Sequence, residues 1–186
     1  MKAMILYGSP KREGNSATLA KHFCDGLVSC GIDTIYHFYT NEMNIEPCQM
    51  CLSCKTSEGN RCAVQDDMSE IVEAFKQSGI VVFATPMFWG YMTAQLKIVM
   101  DRMESLCMGP SEWWAGKCFV GIFTYWHHYE TMVSFFERIT PHFGVKFEKI
   151  LYCSKSDDPT INDIHVSTNK EKCQEAFELG KSLAKT

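Results

Sequence analysis

Three short and almost uninterrupted apolar runs, Ala3–Tyr7, Ile80–Thr85 and Cys118–Thr124, punctuate the chain. Runs of that length with so little alternation suit parallel strands covered on both faces. Thr34–Tyr39 mixes polar and apolar residues as an edge strand does, and Phe147–Cys153 completes a set of five. Between these runs the spacing becomes helical. Leu19, Phe23, Leu27 and Cys30 recur at helical intervals, as do Ile71, Val72 and Phe75. Leu96, Val99, Met100, Met103 and Leu106 form the clearest apolar stripe. Thr131–His142 reads as a helix disturbed by Pro141, and Lys170–Leu183 as the last helix, after the polar loop Ser154–Thr168. Strand alternating with helix predicts an α/β fold in three layers, a parallel sheet with helices on both faces. No repeat, low-complexity tract or linker divides the chain, so residues 1–186 read as one domain with a cysteine-rich loop at about 44–67.

Composition narrows the function. The net charge of −4 and the lack of any basic run disfavour nucleic acid as a partner. No apolar run reaches the roughly 20 residues that span a bilayer, and no secretory signal is visible, so the expected setting is cytoplasmic with no membrane partner. Ten cysteines in such a compartment are not expected to form a disulfide framework. Cys24 and Cys30, placed in the first helix, and Cys118 and Cys153, placed in strands, read as small buried hydrophobes.

The first strand runs into Gly8-Ser9-Pro10-Lys11-Arg12-Glu13-Gly14-Asn15-Ser16 and then into a helix beginning near Ser16. The free amides and positive dipole end of such a helix make an anion site. Ser9, Asn15, Ser16 and Thr18 can add hydrogen bonds, and Lys11 or Arg12 can add charge. The plainer alternative is a helix N-cap supplied by Asn15 or Ser16. The loop lacks the Gly-Lys-Ser/Thr ending of an ATP-binding loop, and Gly8 and Gly14 do not make a dinucleotide fingerprint. A mononucleotide with a terminal phosphate fits better.

In open sheets, ligands sit beyond the carboxyl ends of strands where the strand order reverses. Two further loops fall on that edge. Pro86-Met87-Phe88-Trp89-Gly90-Tyr91 offers three aromatics and a thioether, with Pro86 stiffening the turn and Gly90 permitting close backbone approach. Such rings serve a ligand or an interface. The third loop is Thr124-Tyr125-Trp126-His127-His128-Tyr129.

Gly8-Ser9-Pro10…Gly14-Asn15-Ser16, Ala84-Thr85-Pro86-Met87-Phe88-Trp89 and Leu96-Lys97…Asp101-Arg102 together resemble the NADPH-dependent FMN reductases of the flavodoxin-like superfamily. The resemblance spans about residues 3–153. It implies a five-stranded sheet of order 2-1-3-4-5, FMN as cofactor, NAD(P)H as co-substrate, and a homodimer, with pairing of dimers into a tetramer left open. Carried over, Ser9, Arg12, Asn15 and Ser16, with Lys11 beside them, hold the phosphate. Pro86, Met87, Phe88 and Trp89 border the isoalloxazine; Gly90, Thr124 and Tyr125 are further cofactor-binding candidates, and Tyr125 and Trp126 either stack on the ring or simply pack. Leu96, Lys97, Asp101 and Arg102 read as a structural or interfacial helix motif. Many relatives have a glycine-rich third loop, whereas the rings here would narrow the pocket.

Cys48, Cys51, Cys54 and Cys62 form C-x2-C-x2-C-x7-C in a segment of about 28 residues without periodicity. Loops of that length are uncommon unless functional. The spacing suits a compact iron–sulfur centre, and it resembles the iron–sulfur flavoprotein branch of the same superfamily, implying a [4Fe–4S] cluster. Structural zinc and metal-free thiols, including a redox-active pair, are the alternatives. Asp66 and Asp67 read as helix caps rather than ligands.

The activity so implied is an FMN-dependent oxidoreductase. NAD(P)H delivers hydride to the flavin, which passes electrons to a quinone, a free flavin, a metal ion or a protein acceptor. No acid–base triad is required and none is visible. His127 and His128 are either donors to flavin or substrate or surface histidines without function. The alternatives are an electron carrier between ferredoxin-like donors and acceptors, and a flavin-free cysteine-rich regulatory domain.

Overall fold

A computed structural model describes residues 1–161 and 163–185. Five parallel strands, β1 (Ala3–Tyr7), β2 (Ile35–Tyr39), β3 (Ile80–Phe88), β5 (Cys118–Tyr125) and β6 (Lys146–Cys153), lie in the order β2-β1-β3-β5-β6. Numbered among themselves, they follow the expected 2-1-3-4-5. A sixth strand, β4 (Tyr91–Met92), pairs antiparallel with the end of β3 and lengthens it into a hairpin without altering the fold. The helices are α1 (Asn15–Val28), α2 (Ser53–Thr56), α3 (Met68–Gln77), α4 (Ala94–Arg102), α5 (Glu104–Cys107), α6 (Glu130–Ile139) and α7 (Lys170–Leu183).

Period-two alternation divides the core into two layers. Ala3, Ile5 and Tyr7 of β1, with Val82, Val120 and Ile150, pack toward Leu19, Phe23 and Leu27 of α1 and Ala176 of α7. Met4 and Leu6, with Val81, Phe83 and Phe119, pack toward Ile71 and Phe75 of α3, Leu96 and Val99 of α4, and Phe136 of α6. Both faces are covered, which is why the central strands carry continuous apolar runs. The apolar stripe from Leu96 to Leu106 is shared by two helices that break at Met103. Pro141 ends α6 as the sequence suggests, in a 3-10 turn over Thr140–Phe143.

Cys30 lies outside its expected helix, and Cys153 lies in its expected strand but is not buried. Helix α1 stops at Val28, leaving Cys30 half-buried in the following turn. Cys153 ends β6 and is exposed, its Sγ 3.7 Å from the Trp126 carbonyl. Cys24 and Cys118 are buried as expected.

Helices α1 and α7 cross at paired glycines. A Cβ on Gly26 would lie 2.1 Å from the Phe177 carbonyl oxygen, and one on Gly180 would lie 2.1 Å from that of Phe23. Backbone cannot give way there as a side chain can. Gly26→Val is therefore expected to lower unfolding free energy by about 2–3 kcal/mol through overpacking. Urea denaturation checks this, and an unchanged midpoint would contradict the crossing.

Candidate functional site

The order reverses between β1 and β3, and a cavity of about 630 Å³ opens beyond the carboxyl ends of β1, β3 and β5. Its first wall is the loop after β1. Gly8 donates to the Ala84 carbonyl at 2.8 Å, and its own carbonyl accepts from the Thr93 hydroxyl at 2.7 Å. A Cβ at Gly8 would lie 2.8 Å from the Thr85 hydroxyl, so only glycine lets the strands close here. The helix N-cap is Gly14, not Asn15 or Ser16, and it supplies no side-chain bond. The first intrahelical bond runs from Thr18 N to Gly14 O at 2.9 Å, so the amides of Asn15, Ser16 and Ala17 precede it. No acidic residue sits in that first turn. Ser9 and Ser16 line the cavity although largely buried, and the Ser9 hydroxyl accepts from Lys11 N at 3.1 Å.

Arg12 is placed elsewhere. Its Nε donates to Glu42 at 2.7 Å and its guanidinium covers the Tyr39 ring at 4.0 Å, and it is not among the residues lining the cavity. Asn15 lines the cavity, but its side chain is engaged. Its amide nitrogen donates to Asp163 Oδ2 at 3.1 Å and to the Ile164 carbonyl at 3.2 Å, while its oxygen accepts from Val166 N at 2.7 Å. His165 Nε2 lies 2.9 Å from the Glu13 carbonyl, so the segment before α7 is clasped to the loop after β1 at two points.

The second wall is the β3–β4 hairpin. Trp89 and Gly90, with φ of 53° and 75°, make its two-residue turn. Gly90 is needed for this conformation, which L-residues disfavour, and Trp89 adopts it under strain. Phe88 is half-exposed and the Trp89 ring stands free in solvent. Opposite them, Thr124, Tyr125, Trp126, His127 and His128 line the third side. Pro86, Met87, Phe88, Trp89 and Gly90 meet Ser9, Lys11, Ser16, Thr124 and Tyr125 around one space. Ser154 and Asp163, which no sequence pattern marked, also face it. Trp126 Nε1 donates to Asp163 Oδ1 at 3.2 Å, drawing the two loops together. Such a space, with free amides at one end and rings at the other, fits a ligand with an anionic end and a flat body.

The cysteine segment leaves β2 on the same edge of the sheet. Cys48, Cys51, Cys54 and Cys62 line a second, small pocket with Arg102, Glu104 and Ser105. Among the described residues, no three His, Cys, Asp or Glu side chains stand as a metal-binding group. The soft donor set suits an iron–sulfur or zinc centre, but the present thiol arrangement is not that of a ligated one. Bonds from the Ser53 side chain and amide draw the Cys51 thiol below its ordinary pKa. Burial, with Cys62 and Cys48 nearby, pushes Cys54 up.

Arg102 does not pair with Asp101, which binds Lys97. It pairs with Asp66 at 2.6 Å, with both side chains buried. Asp66 also accepts from Glu46 N at 2.9 Å and from Met68 N, the first amide of α3, at 3.1 Å, whereas Asp67 holds the N-cap position without a capping bond and receives Asn44 N at 2.7 Å. Burial alone would raise the Asp66 pKa, but Arg102 and the two amides outweigh it and leave it below its ordinary value.

With this geometry in view, comparison with known proteins decides the family. The family model of the NADPH-dependent FMN reductases matches residues 1–133. The chain belongs to that family. An iron–sulfur flavoprotein from Methanocaldococcus jannaschii is 32% identical over 109 residues, covering 59% of this chain and 55% of the relative. The chain spans about half the length of the curated relatives it matches. An FMN-dependent NADH-azoreductase from Bacillus anthracis, solved in complex with FMN, superposes with a TM-score of 0.73 at 18% identity, covering 99% of this chain and 100% of that one. A flavodoxin from the domain Archaea superposes at 0.59 with 15% identity, covering 100% and 97%. This member of the FMN reductase family therefore has a flavodoxin-like fold. Among the described residues, no helix is long and apolar enough to cross a membrane.

Removing one member of a buried ion pair leaves the other uncompensated, at a cost of about 3–5 kcal/mol. Asp66→Asn should destabilise the protein by that order at neutral pH. With its folded pKa depressed, Asp66 contributes stability above the unfolded carboxylate value of about 3.9, and loses it as pH falls through the lower folded value. Below about pH 4 the gap between wild type and variant should narrow. A constant gap across acid denaturation would contradict the pairing.

Proposed function

We propose that the chain binds FMN in the cavity beyond β1, β3 and β5 and acts as an NAD(P)H-dependent oxidoreductase. The observation that carries this reading is the cavity's polarity, with an uncapped helix start at one end and an aromatic hairpin at the other. Ser9, Lys11, Ser16 and the amides of Asn15–Ala17 would hold the phosphate. Asn15 does so indirectly, by fixing the first turn of α1 against the segment before α7. Arg12 would have to leave Glu42 to take part. Pro86–Gly90 would border one side of the ring and Thr124–Tyr125 the other. When bound, FMN supplies hydride acceptance and electron release to a small-molecule or protein acceptor. The chain's own task is to position the ring and exclude water, which Trp126 and Asp163 assist by joining two walls.

The four-cysteine segment is read as a [4Fe–4S] site, supported by its spacing and by the iron–sulfur flavoprotein relative. That would require the thiols to draw together. The exposed Phe88, Trp89 and Trp126 near the cavity suit a homodimer contact, and a cytoplasmic setting suits ten free cysteines. A second reading, an electron carrier with little turnover, rests on the same cysteine segment.

The spectrum of anaerobically purified protein, with flavin and iron assays, should show bound FMN, and NAD(P)H should bleach it rapidly in stopped flow. Bound flavin indifferent to both nucleotides would favour the carrier, and colourless protein that stays so with added FMN would remove both readings. Ser16→Asp, which places a negative charge among the cavity amides, should weaken FMN binding at least 100-fold with the fold intact. Normal flavin occupancy in that variant would move the phosphate elsewhere.

A further inference from the structure

Arg102 sits at the end of α4 with its side chain 1% exposed. Its NH1 donates to Asp66 Oδ2 at 2.6 Å and to the Glu46 carbonyl at 2.7 Å, and its NH2 to Asp66 Oδ1 at 3.0 Å and the Val64 carbonyl at 3.4 Å. Glu46 precedes Cys48 and Val64 follows Cys62, so one guanidinium ties both ends of the cysteine segment to α4. Its Nε is the one buried side-chain nitrogen or oxygen without a geometric hydrogen-bond partner among the described residues, and the same guanidinium interacts with the Cys62 thiol. Leaving such a donor unpaired in a buried site is costly. The side chain that carries it lines the pocket shared by Cys48, Cys51, Cys54 and Cys62.

The backbone of the segment is strained as well. Met50, Leu52 and Asn60 have φ of 52°, 58° and 54°, in a region costly for residues with a Cβ. Met50 and Leu52 flank Cys51 and expose their apolar side chains. Strain of this kind clusters where a ligand is to be held.

We propose that Arg102 is a positioning residue of the four-cysteine site, spending its free Nε–H on a sulfur of the bound cluster and setting the cluster's reduction potential. This rests on the reading of the segment as an iron–sulfur site. Cluster potentials follow net charge and hydrogen bonds to sulfur. A buried cation that donates to sulfur favours the more negative, reduced state. Asp66 balances the guanidinium charge but leaves Nε available, which separates the two functions of the side chain.

The test is an anaerobic redox titration of iron- and sulfide-reconstituted wild type, R102K and R102Q, followed by visible absorption and EPR. Bound flavin serves as the check on folding. Both variants lose Nε–H, and R102K keeps the charge. R102K should shift the reduction equilibrium about tenfold toward the oxidised cluster, or 59 mV for a one-electron couple, and R102Q further. Clusters that titrate like wild type in both variants overturn the inference while leaving the iron–sulfur reading intact. If the variants hold no iron, nitrogen-15-labelled wild type decides. The Arg102 Nε–H resonance should broaden when the cluster is paramagnetic, and a resonance indifferent to its redox state overturns the inference. Wild type that takes up neither iron nor labile sulfide removes the cluster reading and this inference together.

Discussion

The candidate cavity depends on helix α1 starting without a side-chain cap. A glycine at the N-cap leaves the amides of Asn15, Ser16 and Ala17 ahead of the first intrahelical bond. A helix end held in that state within a fold needs an anion or water to satisfy it. Several contacts preserve the arrangement. Gly8 lets β1 close against Thr85 and Leu96, Thr93 fastens the Gly8 carbonyl to α4, and Asn15 clasps the segment before α7. None of these bonds consumes the three amides.

Donors without a hydrogen-bond partner among the described residues thus recur in two places on one edge of the sheet. One is the row of backbone donors at α1, facing a roomy cavity that ends in aromatic rings. The other is the Arg102 Nε, buried beside four thiols. The first suits a phosphate and the second suits sulfur, so the two sites differ in the softness of the partner they await. Helix α4 links them, since Thr93 at its start anchors the loop after β1 and Arg102 at its end anchors the cysteine segment.

Strands covered on both faces were legible because burial on two sides leaves no polar alternation to obscure them, as in β1 and β5. The convergence of the Ser9–Ser16, Pro86–Gly90 and Thr124–Tyr125 segments followed from the rule that loops after parallel strands share an edge. Other features depend on contacts between residues distant in sequence. The Arg102–Asp66 pair bridges 36 positions and could not be seen, whereas the neighbouring Asp101 in fact pairs with Lys97 four residues away. Trp89 in a left-handed hairpin turn contradicts local preference, which hid β4. Ser154 and Asp163 lie in a loop without periodicity, and Arg12 looked like a phosphate ligand because its contacts with Glu42 and Tyr39 form only in the folded chain.

The central claim, that the uncapped start of α1 grips a phosphate, is tested most directly by comparing the affinities of the apoprotein for FMN and riboflavin. The two ligands share the ring and ribityl chain and differ only in the phosphate. Two charge-assisted hydrogen bonds to that group, at about 1.5 kcal/mol each, correspond to roughly 100-fold in affinity. FMN should bind at least that much more tightly, and the difference should disappear in Ser16→Asp. Equal affinity of the wild-type protein for the two ligands would contradict the account.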